Sequence, residues 1–349
     1  MKNMIMLAGI LCLCSVFAEA KDPAVANPVA KASAFHADIV VAADGSGQFK
    51  TVQEAVKAAP ANRTVPFVIF IKPGTYQGPV SILKDKPNLA LVGSDAEKTI
   101  ITHSLNVNDP VPAGSDKFNP CLLIRADNFR AEKLTFQNTA GDRGQALAVR
   151  ADADRAIFTD CRFLGWQDTL MVNNGRDYFL DCHIEGRVDF IYGSATAWFK
   201  HCRIHSKNGG YVTAASTPKD HPYGFVFVDC HLTGDPAPWI DASGKPVKKS
   251  STPPVTFLGR PWTAEASVTY LNCEMDKHIA PAGWDNWRKP EREKTARYAE
   301  CNSRGPGANP GKRAAWSKQL TAAEAGRITV EAVLGGKDGW RPEAGKSKK

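Results

Sequence analysis

A short unit recurs five times along this chain: an aromatic residue, two intervening positions, a cysteine, one polar position and an apolar residue. It reads FTDCRF at 158–163, FLDCHI at 179–184, FKHCRI at 199–204, FVDCHL at 227–232 and YLNCEM at 270–275. Alternation of this kind sends every second side chain to the same face of a strand. Cys161, Cys182 and Cys202 lie 21 and 20 residues apart, the length of one solenoid turn. Strands in neighbouring turns of such a coil run parallel, about 4.8 Å apart. The pattern predicts an all-β fold, a single-stranded right-handed parallel β-helix with short capping helices at its termini. A doubly wound sheet would need long helices between strands, and a β-sandwich would need antiparallel hairpins with two-residue turns; the sequence offers few of either. Beyond Cys202 the spacing opens to 28 residues before Cys230 and 43 before Cys273, so loops are inserted there. One of them, from Thr233 to Pro254, carries several prolines with Lys245, Lys248 and Lys249 and is a candidate wall beside a groove.

The open end of a solenoid exposes strand edges, so caps are expected. Thr51-Val52-Gln53-Glu54 has the form of a capping box, starting a helix that runs to about Ala59 before Pro60 stops it. Thr321 to Glu324 repeats that form near the other end, with Gly335-Gly336 as a helix stop. Upstream, Lys2, the apolar run over 4–17 and Ala18-Glu19-Ala20 read as a secretory signal covering 1–20, followed by a Pro/Ala-rich linker over 21–37. The β-helix domain then occupies 38–340 and a basic, disordered tail 341–349. The apolar run is shorter than the roughly 20 residues of a membrane span, and no later segment is long enough, so no span is expected. Seven cysteines follow the signal, none spaced as CxxC, and there is no sign of zinc-ribbon or thioredoxin chemistry. Their default role is core packing, although an odd number leaves at least one thiol free or bonded between molecules.

Asp168 and Asp189 are also 21 residues apart, and each follows a repeat cysteine by seven positions. Side chains at equivalent positions of adjacent turns face each other. Two carboxyl groups so placed do not ionise together easily, which gives one site both a nucleophile or base and an acid. Asp160, Asp181 and Asp229 repeat as well, immediately before cysteines, and read as polar residues at strand edges. Asp168 and Asp189 differ from them in their aromatic setting, with Trp166, Phe190 and Tyr192 near in sequence. Gln145 and Gln167, 22 residues apart, extend the ladder with amides that donate hydrogen bonds without competing as bases. No GxSxG, GxGxxG or GxxxxGK[ST] occurs, so serine-hydrolase and nucleotide chemistry have no motif behind them. His201, Cys202 and His205 follow strand alternation and are read as strand residues, with no metal site expected.

GWQDTL (165–170) and GRVDFIYG (186–193) resemble the two aspartate motifs of the pectinesterases. GQALAVR (144–150), LGRPW (258–262), DGSGQFKTVQEAV (44–56) and KPGTY (72–76) agree in order, so that the resemblance runs from about residue 38 to about residue 340. It implies a carboxylic ester hydrolase that demethylates pectin, with Asp189 as nucleophile and Asp168 as the acid that protonates departing methanol and then serves as base. Gln145 and Gln167 would donate to the oxyanion, Arg260 of LGRPW would pair with Asp189, and Tyr192 and Trp262 would contact the sugar. The resemblance is to a bacterial-type, secreted member, and with the one-turn spacing it makes Cys182 and Cys202 the disulfide candidate. It implies no cofactor, a monomer, and an extracellular or periplasmic location. Pectin is the expected partner, nucleic acid is not, and the formal net charge of +8 suits a polyanion. Pectate lyases share the architecture but need a calcium-binding carboxylate cluster, for which this site has no surplus acid. Met171 and Ser194 depart from the family pattern, which leaves substrate range open. The other readings are an esterase or thioesterase acting on a different substrate, and a noncatalytic carbohydrate-binding solenoid.

Overall fold

A computed structural model of the protein describes residue 1 and residues 36–110, 116–235 and 255–343. The expected signal segment beyond its first residue, nearly all of the linker, most of the loop 233–254 and the last six residues of the tail lie outside the described residues. From His36 onward the chain coils as a right-handed parallel β-helix. An 11-stranded sheet runs from Ile39–Val41 through Ala156–Thr159, Arg176–Leu180, Thr196–Lys200, Phe225–Val228 and Ser267–Leu271 to Lys318–Gln319, each strand parallel to the next. A 13-stranded sheet closes the other sides of each turn. The long strand His183–Gly193 bends between its two arms: its first half pairs with Arg162–Leu164 and its second with Leu170–Asn174.

The recurring unit explains the stacking. Phe158, Phe179, Phe199, Phe227 and Tyr270 point into the core and form one column, with ring centroids 4.8, 4.6, 4.5 and 4.5 Å apart and planes 5° to 11° from parallel. That separation is the spacing between turns, so the aromatic ladder and the backbone ladder reinforce the same register. Three residues further on, Cys161, Cys182, Cys202, Cys230 and Cys273 make a second buried column. Between the two columns the chain turns a corner on one left-handed residue: Asp160, Asp181, His201, Asp229 and Asn272 all have φ between 52° and 55°. Asp and Asn tolerate that conformation best among side chains other than glycine, which accounts for the repeated polar residue before each cysteine.

The disulfide expected between Cys182 and Cys202 is not formed; both are free buried thiols. Cys182 and Cys202 each have a second thiol neighbour in the column, Cys161 on one side and Cys230 on the other, so this pair is not singled out. The thiols donate instead to backbone carbonyls, Cys182 Sγ to Leu180 O and Cys202 Sγ to Lys200 O, each at 3.4 Å. Burial holds Cys202 well above the ordinary thiol range, so it carries little thiolate for exchange.

Both ends are capped. The helix Val52–Ala58 starts at Thr51, whose side chain accepts from Glu54 N–H, and buries Val52, Ala55 and Val56 over the first turns. At the other end Ala322–Ala325 begins with a complete Thr321/Glu324 capping box, and Val330–Leu334 lays Val333 and Leu334 against Tyr178, Leu180 and Trp198 on the outside of the first sheet. The docked segment reaches beyond the expected boundary at Trp340. Arg176 holds Asp154 and Asp338 and lies over the Trp340 ring, while Glu343 accepts from Tyr178 and from Lys200 Nζ at 3.0 Å. Charge pairing, which apolar periodicity does not reveal, fixes these last described residues.

Candidate active site

One row of side chains crosses six successive turns on the outer face of the second sheet: Ser81, Leu123, Arg150, Met171, Tyr192 and Ala214 are register partners in that order. Asp168 and Asp189 sit just before this row on adjacent turns. Their equivalence follows from the pairing Leu170 with Ile191 and from the bond of Asp168 N–H to Val188 O at 3.0 Å. Both have left-handed backbones, φ 63° and 52°, at the end of a repeated Gly-x-x-Asp turn. The glycines are required by close approach. A Cβ on Gly165 would stand 2.6 Å from Thr169 Oγ1, and one on Gly186 would stand 2.2 Å from Phe190 Cβ. The turn thus folds tightly on itself and sets an aspartate at its end, just before the outer row.

The environments of the two acids differ. Asp189 is 7% exposed, and Arg260 grips it with a fork, Nε to Oδ1 at 2.9 Å and Nη2 to Oδ2 at 2.6 Å. Burial raises the Asp189 pKa above the ordinary carboxylate value, and the Arg260 bonds and charge oppose that rise. Asp168 is 3% exposed and has no fork; Gln145 Nε2 donates to it at 2.8 Å, and the Tyr192 hydroxyl also acts on it. Burial lifts its pKa to about 7, the Gln145 bond pulls it down, and the Asp189 charge pushes it up again. The arrangement sets a carboxylate held by a cation beside a carboxyl group whose pKa of about 7 lets it carry a proton near neutrality.

The other expected residues converge on this place. Arg260 follows the strand Thr256–Gly259, and its N–H bonds Thr213 O at 3.0 Å, which brings a distant loop onto the turn next to Asp189. Gln145 and Gln167 are bridged as parallel neighbours. The Gln145 amide is engaged with Asp168, and its second N–H remains for another acceptor. Trp262, 42% exposed, stands over the groove with its ring centroid 5.9 Å from that of Tyr192. Tyr192 is only 5% exposed and packs with Leu147, Met171 and Ala214, so it forms floor where Trp262 forms wall. Toward the N-terminal turns the row continues into a cavity of about 260 Å³ that Ser81, Asp116, Asn119, Leu123 and Arg125 line. A cavity of about 500 Å³ beside the helix Val52–Ala58 shares Pro79, Ser81 and Leu83 with it but lies away from the two aspartates.

Sequence reasoning missed the surroundings of Arg260. Tyr211 and Trp287 flank its guanidinium at 3.9 and 3.7 Å, and Asp285 adds a negative charge that raises the Asp189 pKa. Trp287 and Asp285 come from a stretch with no regular period, and although Tyr211 is the register partner of Val188 on the preceding turn, nothing in its spacing ties it to Arg260.

The family model for Pectinesterase matches residues 38–337. Pectinesterase 31 of Arabidopsis thaliana is 37% identical over 298 residues, covering 82% of this chain and 89% of that protein. The chain spans about half the length of curated relatives named as pectinesterase/pectinesterase inhibitor. Among solved structures, a pectin methylesterase from carrot superposes with a TM-score of 0.81 at 33% identity, covering 91% of this chain and 99% of the carrot chain. A pectin methylesterase of Erwinia chrysanthemi gives 0.72 at 30% identity, covering 88% and 99%. The plant proteins match at least as well as this bacterial one, so the expectation of a bacterial-type member gains no support. No helix among the described residues is long and apolar enough to cross a membrane.

Proposed function

This chain belongs to the pectinesterase family and is an enzyme of it, and from that premise we propose that it demethylates polygalacturonate through an aspartyl acyl-enzyme. Asp189, ionised against Arg260, attacks the carbonyl carbon of a galacturonate methyl ester. Negative charge gathers on the carbonyl oxygen, where Gln145 and Gln167 amides donate; a donor already in place at such a point is worth roughly 3 kcal/mol. As the tetrahedral centre collapses, the bond to methoxide breaks and Asp168 gives its proton to departing methanol, leaving Asp189 joined to the sugar as an anhydride. Water then attacks the same carbonyl, Asp168 takes a proton from it, and the bond to Asp189 breaks. The uronic acid leaves and both carboxyl groups return to their starting states.

The observation that supports this reading best is the inequality of the two acids: a fork from Arg260 on Asp189, and on Asp168 no cation fork, an amide from Gln145 and a carboxyl pKa of about 7. Trp262 and Tyr192 are the proposed contacts for the sugar rings. The formal net charge of +8 suits a polyanionic polymer, and the proposed site of action is outside the cell. The enzyme needs no cofactor in this scheme. Methanol release from highly methylated pectin tests it: the wild type releases methanol, and Asp189→Ala loses release by about ten-thousandfold or more while still binding pectin. Equal release by the two proteins contradicts the nucleophile assignment.

A further inference from the structure

Arg260 is held from both faces. Its guanidinium carbon lies 3.9 Å from the centroid of the Tyr211 ring and 3.7 Å from that of Trp287. Two rings so near one carbon cannot share a face of a planar group, so the guanidinium is sandwiched between them. Tyr211 in turn lies against Phe257, its register partner on the next turn, with centroids 5.5 Å apart and planes 18° from parallel. The Trp287 side is built at a cost in backbone conformation. Trp287 and Arg288 are consecutive left-handed residues, φ 60° and 54°, where bulky side chains are rare. Three bonds hold them there: Trp287 N–H to Asp285 Oδ1 at 2.7 Å, Arg288 N–H to Asn286 Oδ1 at 2.9 Å, and Asp285 N–H to Gly259 O at 3.1 Å. The last fastens the loop to the residue immediately before Arg260. Arg292 Nη1 donates to Pro261 O at 2.6 Å and fastens it again on the other side.

We propose that Tyr211 and Trp287 are positioning residues that act through Arg260: the two rings leave its fork only the in-plane approach to Asp189, and so hold that carboxylate in the orientation and charge required for attack. The proposal rests on the reading of Asp189 as nucleophile. A cation between two ring faces is attracted by both and loses the water that would otherwise compete for its N–H groups. A strained loop that delivers an indole to this cation is accounted for if the orientation of the fork limits the rate. Neither ring has to touch the ester.

The test compares kcat and KM for methanol release by Trp287→Leu, Trp287→Phe, Tyr211→Leu and Arg260→Ala, with Trp287→Leu also made in the Arg260→Ala background. Leucine keeps apolar packing without an aromatic face, and phenylalanine restores the face. Trp287→Leu and Tyr211→Leu each lower kcat about tenfold with KM within about twofold of wild type. The acidic limb of the kcat profile moves to higher pH as Asp189 loses part of its hold on a cation; Asp168 and Asp285, the acids nearest it in charge, remain in every variant. Trp287→Phe recovers most of the rate, and Trp287→Leu adds no further loss to Arg260→Ala. The proposal is overturned by a loss confined to KM, by equal losses in the leucine and phenylalanine variants, or by a full tenfold further loss in the Arg260→Ala background. Wild-type kcat in Arg260→Ala overturns the nucleophile reading and the clamp with it, whereas a crippled Arg260→Ala beside an unimpaired Trp287→Leu overturns the clamp alone.

Discussion

From Gln145 to Ala215 the chain keeps a period of about 20 to 23 residues between register partners, and beyond Ala215 it keeps none, yet both stretches send side chains to one pair of carboxyl groups. The periodic stretch supplies likeness. Gln145 with Gln167, and Asp168 with Asp189, occupy equivalent positions of adjacent turns, and the two aspartates share the same left-handed backbone. Left to themselves they would titrate as a symmetric pair. The irregular stretch supplies the difference: Arg260, brought back across 71 residues, binds one acid and not the other, and Trp287 and Asp285 from the same stretch gather around it opposite Tyr211 of the last regular turn. A solenoid can thus repeat a functional group cheaply in sequence and then assign roles to the copies from an insertion.

Removing a group from either stretch separates these contributions. Arg260→Ala, which takes away the asymmetry and leaves a buried carboxylate without its cation, lowers kcat about a thousandfold and shifts the acidic limb of the profile upward. Loss confined to KM would mean that the arginine binds substrate instead. Gln167→Ala, which removes one copy from the periodic side, lowers kcat about a hundredfold with the pH limbs unmoved; a moved limb would assign Gln167 to proton placement. Asp168→Asn tests the cost of the arrangement to the fold. The Asp168 pKa is raised on folding to about 7, so the unfolded chain ionises first as pH rises and stability is lost between about pH 4 and pH 7. Asparagine removes that loss, and thermal melts show the variant more stable than wild type at pH 8 by on the order of a few kcal/mol, with little difference at pH 4. Equal stability at both pH values contradicts the raised pKa. The smallest effect lies farthest from the site: Thr321→Ala unseats the C-terminal cap and costs about 1 kcal/mol with kcat unchanged.

The same contrast explains what the sequence discloses. The β-helix, the capping helix from Thr51 and the Thr321 box are legible because each depends on local pattern: alternation, a fixed turn length, or a cap three residues from its partner. The positions of Asp168 and Asp189 are legible for the same reason, since period converts sequence distance into spatial adjacency. The clamp of Tyr211 and Trp287 is not, because Arg260 and Trp287 reach Tyr211 through segments whose lengths follow no repeat. The absent disulfide has a related cause. Spacing marks Cys182 and Cys202 as neighbours, but it marks Cys161 and Cys230 as neighbours too, and a column of equivalent thiols selects no pair. The docking of Glu343 rests on Tyr178 and Lys200, two residues from different turns of the outer face, which no single stretch of sequence displays.

Carboxyl-selective carbon NMR of the two labelled aspartates, followed through pH, asks directly whether equivalent positions on neighbouring turns hold unequal protons. The account predicts that Asp168 loses its proton near pH 7 and that Asp189 does so at lower pH, the gap closing in Arg260→Ala. Two curves that coincide in the ordinary carboxylate range, or an Asp189 that ionises after Asp168, would contradict it.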